Sequence, residues 1–279
     1  MTSHLSITDH AGRSVTIEIP KHKIISLAPS NTEMVYALGA QELLHGVTEY
    51  CDFPEAAKLI PRVGGYTTVD IDIINEIQPD LILAGTIHLK GIVSKLEELG
   101  YPVIVLESNT ISGMLTAIEI IGQCTGKEAV AEQLVESLRA RAEAVTDKTK
   151  DLPVEKRPRV YYLHESQTWK TFGAKTIGDT LTDLAGGYNI GRDFGEYYPY
   201  PTFSDIVNSN PDIIIAETGY GENPMEPLNI ALNEPAIEST KARKSGRVYG
   251  ISSDLVGRAG PRMVEGLEEL ARIFHPGLF

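Results

Sequence analysis

Hydrophobic and polar positions along this chain alternate between two spacings, one that suits strands and one that suits helices. Alternation at residues 15–19 predicts an edge strand, and the unbroken aliphatic run at 24–28 predicts a buried one. Pro29-Ser30-Asn31-Thr32-Glu33 leads into a helix through Gly39, and residues 46–50 read as the next strand. A helix over 87–99 is stopped by Gly100, a strand follows at 103–106, and a helix over 111–124 ends near Gly126. In the second half, strands are predicted at 159–164 and 247–252, with helices at 176–184 and 262–274. Such alternation predicts an α/β fold: a parallel sheet with helices on its faces.

One stretch occurs twice. Residues 72–85 read DIINEIQPDLILAG and residues 204–217 read SDIVNSNPDIIIAE. Laid over each other without a gap, they share Ile74/Ile206, Pro79/Pro211, Asp80/Asp212, Ile82/Ile214 and Ala84/Ala216. In each copy, apolar positions at helical spacing predict a short helix. The proline disfavours helix at the residue before it. The aliphatic run that follows suits a strand buried on both faces of a parallel sheet. The period is too long for a solenoid. Two similar α/β halves are therefore expected, with a ligand cleft between them.

Residues 127–148 differ from their surroundings. They contain no Gly or Pro, and Val130, Leu134, Leu138, Ala142 and Val145 form a stripe at steps of three to four. At 1.5 Å per residue the helix runs roughly 30 Å, enough to cross between two domains. Residues 151–158 (DLPVEKRP) break it. The expected division is an N-terminal α/β lobe at 1–125, a bridging helix at 126–156 and a C-terminal α/β lobe at 157–279.

Composition narrows the function. A chain of 279 residues holds two domains of ordinary size, and 42% hydrophobic with 23% charged residues is normal for a soluble globular protein. A net charge of −13 argues against nucleic acid, which needs a basic face, and against an anionic membrane as a primary partner. No stretch approaches bilayer-spanning length, and no signal peptide is visible in residues 1–23. Location in the cytoplasm and a mature chain without its leader both fit. Cys51 and Cys124 are too few for a disulfide framework; buried free thiols are expected, with a single bridge as the alternative.

Enzyme chemistry finds little support in the motifs. Where a dinucleotide site wants Gly-x-Gly-x-x-Gly, the chain has Pro29-Ser30-Asn31-Thr32. The GQCTGK run at 122–127 is one residue short of a phosphate loop and reads as the end of one helix and the start of the next. The seven histidines show no paired metal-ligand spacing, so no metal site is expected. No Gly-x-Ser-x-Gly elbow is present. His88 and His164 fall at strand ends, where clefts form in α/β sheets. Tyr50, Tyr66, Trp169, Phe172, Tyr197, Tyr198 and Tyr200 lie mainly in loops after strands, and the 196–201 tract is too polar and stiff to bury easily. Aromatics on opposing loops suit a large flat ligand. Asp254 and Arg258 follow the last strand, where they either pair with each other or read a polar ligand edge.

These residues also carry a family resemblance. Thr8-Asp9-His10-Ala11-Gly12-Arg13, the run Lys23-Ile24-Ile25-Ser26-Leu27-Ala28-Pro29-Ser30-Asn31-Thr32-Glu33, and Ala37-Leu38-Gly39 resemble the opening of the substrate-binding proteins of iron-siderophore, haem and cobalamin ABC importers. Arg62-Val63-Gly64-Gly65-Tyr66 and both Pro-Asp segments fit as well, so the resemblance covers essentially the whole chain. It implies two Rossmann-like lobes bridged by one long helix, with a ligand between them and no enzymatic activity.

Within that family the cobalamin-binding branch is most similar. Its first-lobe pattern resembles Tyr50-Cys51-Asp52-Phe53-Pro54, and its pocket tryptophan falls on Tyr66. Its second-lobe pattern lies on Ser253-Asp254 and Arg258, continuing to Pro261-Arg262, and an aromatic before proline falls near Tyr198. The resemblance implies Tyr50, Tyr66, Tyr198, Asp254 and Arg258 as ligand residues, and strand-end His88 and the loop aromatics Trp169 and Phe172 are expected with them, for a corrinoid or another metal chelate carried as cargo and not as a catalytic cofactor. Haem or a ferric siderophore is the alternative. It further implies an extracytoplasmic monomer docking on a permease dimer with its ATPase subunits. The docking acid of the first lobe falls on Asp72; its second-lobe equivalent is Ser204, with Asp205 adjacent. A two-lobed transferase or metal-cluster oxidoreductase would call for a phosphate loop or clustered cysteines.

Overall fold

A computed structural model describes residues 3–219 and 223–279. The chain forms two compact units, Met1–Arg139 and Ala140–Phe279. The first opens with an antiparallel hairpin of β1 (Ser3–Thr8) and β2 (Ser14–Ile19), turned at Gly12 with φ 75°. Then follow β3 (Ile24–Ser26), α1 (Pro29–Ala37), β4 (Leu44–Val47), α2 (Ile71–Ile77), β5 (Leu81–Gly85), α3 (Ile92–Glu98), β6 (Val103–Leu106) and α4 (Ile111–Thr125). The last four strands of the unit form a parallel sheet in the order β4-β3-β5-β6. The boundary between the units falls inside α5 (Glu128–Thr149).

The second unit holds β7 (Arg159–Leu163), α6 (Ile177–Leu184), β8 (Tyr188–Asn189), α7 (Phe203–Ser209), β9 (Ile213–Thr218), α8 (Glu226–Asn233), α9 (Lys241–Lys244), β10 (Val248–Ser252), α10 (Ser253–Val256) and α11 (Met263–Phe274). Its sheet, also parallel, runs β10-β9-β7-β8. The two sheets share one topology. In each, the first strand lies between the second and the third, and the fourth lies outside the third.

The sequence repeat is a repeat of structure, α2–β5 in one unit and α7–β9 in the other. Each helix ends on a residue in the left-handed region, Gln78 at φ 52° and Asn210 at φ 45°, because the following proline disfavours right-handed helix there. The shared aspartate then fastens the sheet. Asp80 accepts from the His22 and Lys23 amides at 2.8 and 2.9 Å, and its own N–H donates to Lys23 O at 2.9 Å. Asp212 accepts from the Arg159 amide at 3.0 Å and donates its N–H to Arg159 O at 2.8 Å. In both units, then, the Pro-Asp pair ties the third strand to the start of the first.

Several elements depart from the pattern-based expectation. The strand expected at 46–50 ends at Val47, since Arg62 Nη1 binds the carbonyls of Thr48 and Cys51 and holds 48–51 as a turn. The helix expected at 87–99 is cut by Gly91, whose φ of 106° belongs to no right-handed helix. Residues Thr86–Leu89 form a separate short 3-10 turn. On α5 the buried row is Ala131, Val135, Leu138, Ala142 and Val145, while Val130 is exposed. Ala131 sets that rotation: a Cβ on Gly122 of α4 would come within 2.5 Å of its methyl, so only glycine permits the contact. Cys51 and Cys124 are both buried and free, with no bridge between them.

Candidate ligand-binding site

In an open parallel sheet, ligands bind outside the carboxyl ends of the strands where the order reverses. In the first unit that place is the end of β3 and β5. A buried polar network closes it from below: Asn31 Nδ2 donates to Ala84 O at 3.2 Å, and Thr32 Oγ1 donates to Ser26 Oγ at 2.8 Å. Above it stand the aromatics. The Tyr66 ring meets Tyr50 edge-on at 6.5 Å and His88 at 5.3 Å. Tyr50 is 46% exposed, on the turn that Arg62 holds. Tyr66 is half-buried.

His88, expected at the ligand, is instead enclosed. It is 0% exposed. Its Nδ1 accepts from Gly85 N–H at 2.8 Å, which leaves Nε2–H to donate to Tyr66 O at 2.7 Å. Both nitrogens are used, in one tautomer. Burial lowers its pKa, so the ring is neutral and serves to hold the Tyr66 loop on the end of β5.

In the second unit the corresponding place is the end of β7 and β9. Trp169 and Phe172, also expected at the ligand, form the floor of that region. Phe172 is fully buried, and a Cβ on Gly178 of α6 would stand 2.0 Å from its ring. Trp169 stacks on Tyr161 at 6.3 Å and meets Phe203 edge-on at 5.1 Å. Trp169, Lys175 and Tyr197 all have positive φ, at 54, 66 and 60°. Non-glycine residues so held cluster where the surrounding packing fixes a functional loop. Tyr198 is 41% exposed and lies under the Lys170 ammonium at 5.2 Å. Burial, with Glu217 nearby, pushes its phenol pKa up.

Beside Tyr198 lies a pair that periodicity gave little sign of. The His164 ring sits 5.1 Å from Tyr198 and 4.9 Å from Phe172. Its Nδ1 is 2.9 Å from Glu217 Oε1, and the Glu217 side chain is 5% exposed. Burial raises the Glu217 pKa, while the His164 hydrogen bond works against that rise. The sequence signals were weak: a histidine at a strand end, and the last position of the repeat, where Gly85 becomes Glu217.

Asp254 and Arg258 do pair, Nε to Oδ1 at 2.9 Å, and Arg262 joins through Oδ2 at 3.1 Å. One carboxylate thus holds two guanidinium groups at the end of β10. Asp72 stands exposed at the second position of α2, and the cap is Asp70, which accepts from the Asp72 and Ile73 amides. Ser204 is exposed at the second position of α7. Asp205, one further, closes a capping box: it accepts from Thr202 N at 2.8 Å and Thr202 Oγ1 at 2.7 Å. Those bonds lower its pKa. The two helix starts are therefore in the same register, and Ser204 occupies the place of Asp72. Among the described residues, no three His, Cys, Asp or Glu side chains gather to hold a metal ion, and no helix is long and apolar enough to cross a membrane.

A family model described as periplasmic binding protein matches residues 24–255. The chain is 30% identical over 280 residues to YvrC of Bacillus subtilis, an uncharacterized ABC transporter substrate-binding lipoprotein, covering 99% of this chain and 87% of that protein. It is 27% identical over 274 residues to a cobalamin-binding protein of Halobacterium salinarum, covering 96% and 73%. Among solved structures, the periplasmic vitamin B12 binding protein BtuF of Vibrio cholerae superposes with a TM-score of 0.79 at 22% identity, over 92% of this chain and 98% of that one.

Proposed function

The chain belongs to the periplasmic binding protein family, and from that premise we propose that it is the substrate-binding protein of an ABC importer whose cargo is a corrinoid. It acts outside the cytoplasmic membrane, as a monomer, and hands the ligand to a permease dimer driven by ATPase subunits. It binds and releases; it does not catalyse. The observation that carries the reading is the tyrosines at the carboxyl ends of the strands, exposed Tyr50 and half-buried Tyr66 in the first unit and exposed Tyr198 in the second. Their faces and edges suit the broad apolar surface of a large chelate. The relative named for cobalamin binding, similar over nearly the whole chain, favours a corrinoid within that class. Arg258 and Arg262, both held by Asp254 at the end of β10, present guanidinium donors of the kind that read amide or carboxylate groups at a ligand's edge. Haem is the second reading, favoured by the half-exposed Tyr198 phenol, an oxygen donor of the kind ferric iron accepts.

The test is direct titration of the purified protein. The single tryptophan, Trp169, reports through quenching, because corrinoids and haem absorb where it emits. A corrinoid is expected to bind well below millimolar concentration, and Arg258→Ala to weaken it about tenfold or more. Failure of cyanocobalamin, dicyanocobinamide and haemin alike would remove the ligand assignment.

A further inference from the structure

We propose that Lys170 is a specificity-determining residue of the second unit: its ammonium pairs with an anionic group on the periphery of the chelate, a carboxylate or a phosphodiester. The proposal deepens the chelate-binding reading above and rests on it. Three observations carry it. First, this cation has no anion. Its Nζ stands over the rings of Tyr198 at 5.2 Å and Tyr200 at 5.6 Å, and no carboxylate lies within ion-pair reach of it among the described residues. Glu165 is opposite it in an antiparallel bridge, yet the Glu165 carboxylate accepts from Thr168 Oγ1 at 2.5 Å instead. The Lys170 side chain is half-buried. Ring faces return only part of what such a charge loses on leaving water, and an anion returns more.

Second, the residue is held in place. Lys170 O accepts from His164 N–H at 2.9 Å, which closes the 164–170 turn on the end of β7. Trp169, at φ 54°, buries its ring, and its carbonyl accepts from Tyr161 Oη at 2.5 Å. Thr171 N–H donates to Pro199 O at 3.1 Å and so ties the turn to the tyrosine tract. Three successive residues are fixed, so little ordering remains to be done when a ligand binds. Third, the neighbouring basic residues on strand-end loops are already matched. Lys175 pairs with Glu196 at 2.6 Å, and Arg258 and Arg262 share Asp254. The unmatched charge falls to Lys170, and a compact ammonium suits a carboxylate or phosphate oxygen as a point charge. The tyrosines offer surface to any corrinoid, whereas the ammonium rewards only those that carry a negative side arm.

The experiment compares three corrinoids whose cobalt faces are blocked by cyanide or by the ligand's own base. Dicyanocobinamide carries only amides and a hydroxyl at its edge, dicyanocobyric acid carries one carboxylate, and cyanocobalamin carries one phosphodiester. Wild-type protein is expected to bind at least one of the two anionic corrinoids about tenfold tighter than dicyanocobinamide, and raising the salt concentration should narrow that gap. Preference for cobyric acid alone identifies a carboxylate, and preference for cyanocobalamin alone a phosphodiester. Lys170→Met keeps the aliphatic stem over the rings and should bring the three affinities together, while Lys170→Arg should retain most of the preference. Equal losses for all three corrinoids in Lys170→Met would make Lys170 a brace for the tyrosines and overturn the proposal. If wild type binds all three equally, the anion reading falls while the corrinoid reading stands. If no corrinoid binds, but haemin binds and loses about tenfold in Lys170→Met while its dimethyl ester does not, the corrinoid reading falls and the anion reading stands. Binding of none of these chelates overturns both.

Discussion

Two buried groups of the first unit, Asp9 and His88, set how it responds to acid. Burial alone would push Asp9 up, but the Arg13 guanidinium and the backbone N–H groups of Arg13 and Val105 hold it below its ordinary 3.8. Its contribution is present above that value and is lost as pH falls through the lowered one. Burial holds His88 below its ordinary 6.5. The unfolded histidine takes up its proton first, so stability falls as pH drops below about 6.5. Both signs agree, Asp9 acting below about pH 4 and His88 below about 6.5, so the His88 share of stability in urea unfolding should be lower at pH 5 than at pH 7, against the opposite share of Glu217, whose raised pKa favours the folded state as pH falls. His88→Asn should flatten that dependence and cost about 1–3 kcal/mol, because Gly85 N–H and Tyr66 O lose their partner. The thiols give a second check at this scale. Burial pushes Cys124 up to about 12 and Cys51 up as well. Neither should react with a thiol reagent at pH 8 in the native protein, and both should react in denaturant. These roles were not legible in the sequence. A histidine at a strand end reads the same whether its nitrogens meet backbone, as in His88, or a buried carboxylate, as in His164.

Among elements, the repeated helix-Pro-Asp-strand unit was read most fully. Apolar spacing gave α2 and α7, the proline gave their ends, and the aliphatic runs gave β5 and β9. What the repeat could not disclose was the task of its aspartate, because His22, Lys23 and Arg159 are brought to it only by the sheet. Asp80→Ala and Asp212→Ala should each destabilise by about 1–3 kcal/mol in urea titrations, since charge-assisted bonds to backbone N–H are lost. Asp80→Asn should recover part of the loss. Equal stability of all three variants and wild type would leave the Pro-Asp pair without this fastening role. The helix at 87–99 was misread because one glycine among good helix formers costs little by propensity, whereas a φ of 106° ends the helix outright. The first two positions of the inward-facing row of α5 were each displaced by one residue, from Val130 and Leu134 to Ala131 and Val135, for a related reason. Two adjacent rows were apolar enough, and contact with Gly122 chose between them.

For the whole molecule, the two units share strand order and differ where the repeat copies diverge. At the start of the copies, exposed Asp72 in the first unit corresponds to Ser204 at the same helical position in the second. Asp72→Ala should leave ligand affinity intact and reduce uptake by an intact importer; equal loss of both would count against a docking role. At the end of the copies, Gly85 donates its backbone N–H to His88 Nδ1, while Glu217 meets His164 Nδ1 with its carboxylate. The sequence by itself determined the α/β class, the doubled architecture, the long helix and the family, because each rests on local spacing or on motifs contiguous in the chain. Only the tertiary structure decided which aromatics are floor and which are surface, which histidine is spent on backbone, and that Asp254 holds two arginines. Those outcomes depend on residues up to 53 positions apart, as His164 and Glu217 are. No periodicity reports whether a buried polar group will find its partner until the sheet has brought the two together.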